Sequence, residues 1–324
     1  MTSIAIVAST LPLPLLSRLI QSEKIKVIYV GSESLSESCL AIRNIQADLK
    51  IKVIPKTNGY QILYWFLVIL KSKILKHNII FFHECCMPFF DLFISLVKPK
   101  SKFFPQVTME GSIEIRVEEM PKSKIISFLK NSGLSKKFAY YLSPSVGDNP
   151  EEYVMQYRNY PSSVKIFSVS HSRTILFQNP DQLIDVNCNR ILLLLGKGMV
   201  SDTTQRIVFL SIIDLLEKLN FQIFIKDHPN PKFRLNLETA KGNHLRQEVP
   251  VELAGTTFSW VIGFSSTAII NYGNRGISVL NLLEGVSIRD YELVKKHFDE
   301  INPNHKILYP QSMDELAKIL GQNI

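Results

Sequence analysis

"FQIFIKDHPNPKF", residues 221–233, sets an apolar run against an abrupt polar stop. The β-branched and aromatic residues before Lys226 read as a strand covered on both faces. Lys226, Asp227 and His228 end it, and Pro229 and Pro231 then forbid any regular continuation. A buried strand that ends on a titratable imidazole and a locked turn places that imidazole where a ligand can meet it.

The same strand pattern recurs on both sides of this stretch. "IAIVAS", "IKVIYV", "LKIKVI", "NIIFFHE" and "KFFPQVTMEG" are short apolar runs, and "ILYWFLVILKSKIL" among them reads as a helix. Such alternation predicts βαβ units and a parallel sheet with helices on both faces. A second cycle follows the polar, Asn-rich "QNPDQLIDVNCNR" at 178–190. It runs through "ILLLLG", a helix over "TQRIVFLSIIDLLEKL", the strand quoted above, "FSWVIGF", a helix from "SSTAIINYG", "ISVLNLL" and terminal helices "YELVKKHFDE" and "MDELAKIL". The expected fold is α/β, with two Rossmann-like domains facing a cleft, over residues 1–180 and 181–324. Many nucleotide-sugar glycosyltransferases have that architecture, which by itself does not fix function.

Composition narrows the class. At 324 residues, 46% hydrophobic and 20% charged, the chain is an ordinary globular one. Its net charge of +8 favours anionic partners. The lysines are scattered singly rather than clustered with arginines and aromatics, which speaks against nucleic acid. Cys39, Cys85, Cys86 and Cys188 have no CxxC spacing and indicate neither a zinc site nor a disulfide framework. The opening "MTSIAIVASTLPLPLL" reads as strand and turn rather than a secretory signal, so a cytoplasmic location is expected. "ILYWFLVIL" at 62–70 is too short to span a bilayer. It reads as a buried helix or as a surface that leans on a membrane.

In open α/β sheets ligands bind at the carboxyl ends of the strands. Four such ends carry chemistry: "MEGS" at 109–112, "GKG" at 196–198, "KDHP" at 226–229 and "GFSST" at 263–267. In "GFSST", Ser265 and Ser266 stand where a strand turns into a helix, so they serve either as helix caps or, with the helix amides, as an anion site. The GxSxG nucleophile frame is not met there. "GKG" lacks the GxxxxGK[ST] phosphate-loop frame, which leaves Gly196 and Lys197 a turn that can touch a nucleotide. His228 is a candidate acid for a leaving phosphate, and Glu110 a candidate base. An acceptor site would come from loops of the first domain, with "STLPLPLL" at 9–16, "GSESLSES" at 31–38 and "HECCMPFF" at 83–90 as candidates. No DxD pair ends a strand, and no metal is called for.

"MEGS", "KDHP" and "GFSST" resemble, in order and domain placement, the three short motifs of bacterial sialyltransferases and polysialyltransferases of the GT-B fold. The resemblance spans most of the chain in layout and rests on about ten residues in identity. It implies an inverting, metal-independent transfer of sialic acid or a related nonulosonic acid from a CMP-sugar donor, with no cofactor. The acceptor would be a surface glycan or glycolipid, lipooligosaccharide or capsule, built at the inner membrane, where a basic protein can sit peripherally. Carried over by position, Glu110 is the base, His228 the acid, and Ser265 and Ser266 the phosphate binders. Lys226, in the His-Pro motif with Pro229, faces the cytosine, and Glu248 serves the nucleoside. Met109 departs from the motif's first acidic position, with Glu114 as a fallback base. The alternatives are a UDP- or GDP-sugar donor on the same fold, and a glycan-assembly partner without activity.

Overall fold

A computed structural model describes residues 2–7, 12–43, 48–54, 60–82, 90–104, 161–167, 169–176, 184–196, 200–228, 234–237, 241–301 and 306–321. The chain divides into two compact units, Met1–Leu176 and Phe177–Ile324.

In the first unit the order is β1 (Ser3–Val7), α1 (Leu13–Ser22), β2 (Ile25–Val30), α2 (Glu33–Arg43), β3 (Lys50–Val53), α3 (Tyr60–Ile74), β4 (Asn78–Phe82), α4 (Phe90–Val97), β5 (Ser101–Phe104), β6 (Val164–Ile166) and α5 (Val169–Leu176). Among the described residues every strand pair of this unit is parallel, and the sheet order is β3-β2-β1-β4-β5-β6, that of a doubly wound sheet. Parallel strands covered on both faces must be apolar throughout, which is why β1 is buried at all five positions. Ile4, Ile6, Ile79, Phe81 and Phe103 form the core with Trp65 and Ile69 of α3.

The "GSESLSES" stretch is not the loop expected. Ser32 Oγ accepts from Leu35 N at 3.2 Å, and α2 begins at Glu33, burying Leu35, Cys39 and Ile42 at helical spacing.

The second unit runs β7 (Arg190–Leu194), α6 (Asp202–Lys218), β8 (Gln222–Lys226), β9 (Asn243–His244), β10 (Trp260–Gly263), a 3-10 helix (Thr267–Arg275), β11 (Gly276–Ser278), α7 (Ile288–Ile301) and α8 (Met313–Gly321). Its sheet is again wholly parallel, ordered β11-β10-β7-β8-β9. Ser201 caps α6 by accepting from Thr204 N at 3.1 Å, and the helix buries Phe209, Ile212, Ile213 and Leu216 on the sheet. Strand order reverses between β7 and β10, so the crevice a ligand would use opens there.

The helix after "GFSS" is 3-10 rather than α, and Gly273 interrupts it with φ 52° and ψ −129°. Close approach to the sheet dictates this. A Cβ on Gly276 would stand 2.7 Å from Ile269 Cγ2 and 2.8 Å from Ile269 O, and one on Gly263 would meet Leu194 O at 3.1 Å.

Candidate functional site

Strand register aligns the carboxyl edge of the second sheet. Lys226 pairs with Leu194, Leu194 with Gly263, and Gly263 with Ser278. The ladder continues one step, with Leu195 N donating to Lys226 O at 2.8 Å and Val279 N to Gly263 O at 2.9 Å. Two residues further along the chain from this row come His228, Gly196 and Ser265, each just past the carboxyl end of one of three adjacent strands. With strands spaced near 4.8 Å, the paired ends of β8 and β10, on either side of β7, lie roughly 10 Å apart. The three motif residues, chosen from separate stretches of chain, therefore share one edge.

Asp227 holds the turn that carries His228. Its buried carboxylate accepts from His228 N at 2.8 Å and Leu235 N at 3.0 Å through Oδ1, and from Asn236 N at 2.7 Å through Oδ2. Arg234 Nε donates to His228 O at 3.1 Å. One carboxylate thus ties both ends of residues 228–236, a role the sequence reading assigned to the prolines alone.

Lys226 is only 6% exposed. Its ammonium donates to Arg246 O and Gln247 O, both at 3.0 Å. Burial pulls its pKa down to about 8, against the opposing fields of Glu252 and Glu248. Glu248, which the resemblance gives to the nucleoside, thus lies close enough to act on the charge of Lys226, and so does Glu252, which the sequence did not single out. The Glu252 carboxylate accepts from Asn271 Nδ2, and desolvation raises its pKa in spite of that bond and of Lys226. Tyr272, next along the 3-10 helix, is fully buried, and its hydroxyl has no hydrogen-bond partner among the described residues. Burial first, and then the charge of Glu252, push that phenol well above its usual range.

Ser266 occupies the N-cap position of the 3-10 helix with φ −68° and ψ 124°, yet its side chain makes no capping hydrogen bond. Its carbonyl accepts from Ile269 N at 3.0 Å instead. Of the two readings of "GFSST", the cap alone does not account for the hydroxyl. Glu110, Glu114, Met109, Lys197 and Pro229 lie outside the described residues, as do residues 8–11 and 83–89.

No group of three or more His, Cys, Asp or Glu with metal-binding geometry is found among the described residues. Among these residues, too, no helix is long and apolar enough to cross a membrane.

No family model and no curated protein matches this chain. Among solved structures it is similar to S. aureus MnaA with UDP, at 10% identity over 93% of this chain and 88% of that one, with a TM-score of 0.46. It is also similar to the E. coli ADP-heptose LPS heptosyltransferase II, at 10% identity over 100% and 98% and a TM-score of 0.44. A third is the glycosyltransferase SnogD from Streptomyces nogalater, at 9% identity over the whole of both chains and a TM-score of 0.43. At such values the fold assignment rests on strand order and register: two parallel, doubly wound α/β units in succession.

Proposed function

We propose that this chain is a glycosyltransferase of the GT-B kind whose donor sits at the carboxyl edge of the second sheet, and that the donor is a CMP-activated nonulosonic acid. The observation that carries this reading is the registered row of Lys226, Leu194 and Gly263, with Lys226 buried and with His228, Gly196 and Ser265 following two residues on at the same strand ends.

A phosphate on Ser265, Ser266 and the first amides of the 3-10 helix would sit on the sheet edge that also carries His228. In the reaction, the acceptor hydroxyl attacks the anomeric carbon, the bond from that carbon to the phosphate oxygen breaks, and CMP leaves. Glu110 takes the acceptor proton, and His228 donates one to the departing phosphate. Lys226, largely protonated at pH 7 with a pKa of about 8, adds positive charge beneath the nucleotide. A monophosphate needs one anion cradle, which Ser265, Ser266 and the start of the 3-10 helix can supply. The second unit is then the donor-binding domain and the first the acceptor-binding domain. The acceptor is a glycan or glycolipid, and metal takes no part.

The test is release of CMP from CMP-sialic acid with and without EDTA, comparing wild type with His228→Ala and Glu110→Ala. Release that survives EDTA and falls about a hundredfold in either variant is expected. Turnover of UDP-sugars with neither CMP release nor CMP binding would refute the donor assignment.

A further inference from the structure

Helix α3 is apolar on both sides. Its inner face buries Trp65, Val68 and Ile69 against the first sheet. Leu63, Leu67 and Ile74 fall on one stripe of the opposite face and remain 53%, 50% and 69% exposed. α4 lies beside it: Phe66 and Phe93 meet edge to face at 5.2 Å, and Lys73 Nζ donates to Lys98 O at 2.7 Å, bringing the two helix ends together. Leu96 of α4 is 65% exposed. Exposed apolar side chains on two neighbouring helices mark an interaction site, because water gives no reason to keep them.

The charges around it identify the occupant. Lys71, Lys76 and Lys98 are exposed at the carboxyl ends of the two helices. No Asp or Glu occurs from 49 to 83 or from 92 to 109. A second copy docked here by two-fold symmetry would meet these lysines with the same acid-free segments, leaving them without a partner charge. An anionic bilayer suits both features, since it takes leucine and isoleucine into its acyl boundary and lysines among its headgroups. Tyr64, 40% exposed beside the stripe, is a residue type favoured at that depth. We propose that the outer face of α3 and α4 docks on anionic phospholipid, with Leu63, Leu67, Ile74 and Leu96 inserted and the three lysines at the headgroups. This surface belongs to the first unit and is independent of the donor assignment.

Co-sedimentation of the full chain with vesicles tests it. Binding to vesicles carrying about 30% phosphatidylglycerol in phosphatidylcholine is expected to exceed binding to phosphatidylcholine alone by about tenfold or more, and to weaken in high salt. The double variant Leu67→Ser, Ile74→Ser is expected to lose vesicle binding about tenfold with Tm unchanged, because both side chains are already exposed. Lys71→Glu with Lys98→Glu should erase the preference for the anionic lipid. Absence of vesicle binding, or binding that the double serine variant leaves intact, overturns the proposal. So does a concentration-dependent dimer in sedimentation velocity that the same variant abolishes while vesicles go unbound.

Discussion

Replacing Asp227 with Ala removes the acceptor for three backbone N–H groups at once, those of His228, Leu235 and Asn236. An orphaned buried donor costs about 1–3 kcal/mol. The His228 and Asn236 amides are only partly buried and can recruit water, so the low end applies to them and the total comes to about 3–5 kcal/mol. For a unit of about 150 residues, each kcal/mol lowers Tm by about 3 °C, giving a fall of roughly 10 °C. Asp227→Asn should fall between, because its carbonyl oxygen can still serve His228 and Leu235 while its amide then opposes the N–H of Asn236. The two tryptophans separate the units: Trp65 belongs to the first and Trp260 to the second. In a Trp65→Phe background, fluorescence-monitored urea and thermal unfolding of Trp260 reports the second unit alone. The His228-dependent step should weaken with the same substitution, because the turn that aims the imidazole has lost its tie. An Asp227→Ala protein that melts within about 2 °C of its parent and keeps its activity would refute the claim that this carboxylate holds the turn.

Three further outcomes follow from the same edge. Lys226 has a folded-state pKa of about 8, below its ordinary 10.5. Between those values the unfolded chain holds a proton that the folded chain has shed, so this residue's contribution to stability rises with pH, by about 2–3 kcal/mol from pH 8 to 10. Lys226→Met should flatten that rise in a pH series of urea midpoints, and a rise of the same size in the variant would refute the assignment. Gly276→Ala drives a methyl to 2.7 Å from Ile269 Cγ2, where the 3-10 helix meets β11. A loss of about 1–3 kcal/mol is expected in Trp260-detected unfolding, with weaker nucleotide binding by calorimetry. Ser266→Ala removes a hydroxyl that makes no cap bond, so its Tm should stay within about 2 °C while CMP affinity falls about tenfold by calorimetry. The reverse pattern would make Ser266 an ordinary cap.

How far the fold could be read from the chain depends on how much each element buries. β1, β4, β7 and β10 are inner strands of parallel sheets, and a strand covered on both faces announces itself as an apolar run. β6 and β9 sit at sheet edges, three and two residues long, and leave no such run. "SSTAIINYG" reads as a helix in the sequence, but its 3-10 form does not show there. What forbids the α form is the approach of Ile269 to Gly276 and the left-handed φ of Gly273, both products of tertiary packing.

The site divides along the same line. Lys226, His228, Gly196, Ser265 and Ser266 were accessible because a strand end is a local feature, and parallel register then collects strand ends on one edge without further information. Glu252 follows no strand, and Tyr272 lies inside an apolar-looking segment. Nothing local distinguishes Glu252 from Glu248, four residues earlier, except that one carboxylate comes to accept from Asn271 and to face a buried phenol. Burial is what sets these groups apart, for it lowers the pKa of Lys226 while raising those of Glu252 and Tyr272. Desolvation always disfavours the charged form, so an ammonium and two acids move in opposite directions and their mutual attraction recovers only part of the penalty. Motif spacing therefore finds the groups that stand at strand ends, while the buried groups beside them emerge only once the sheet has been folded over them.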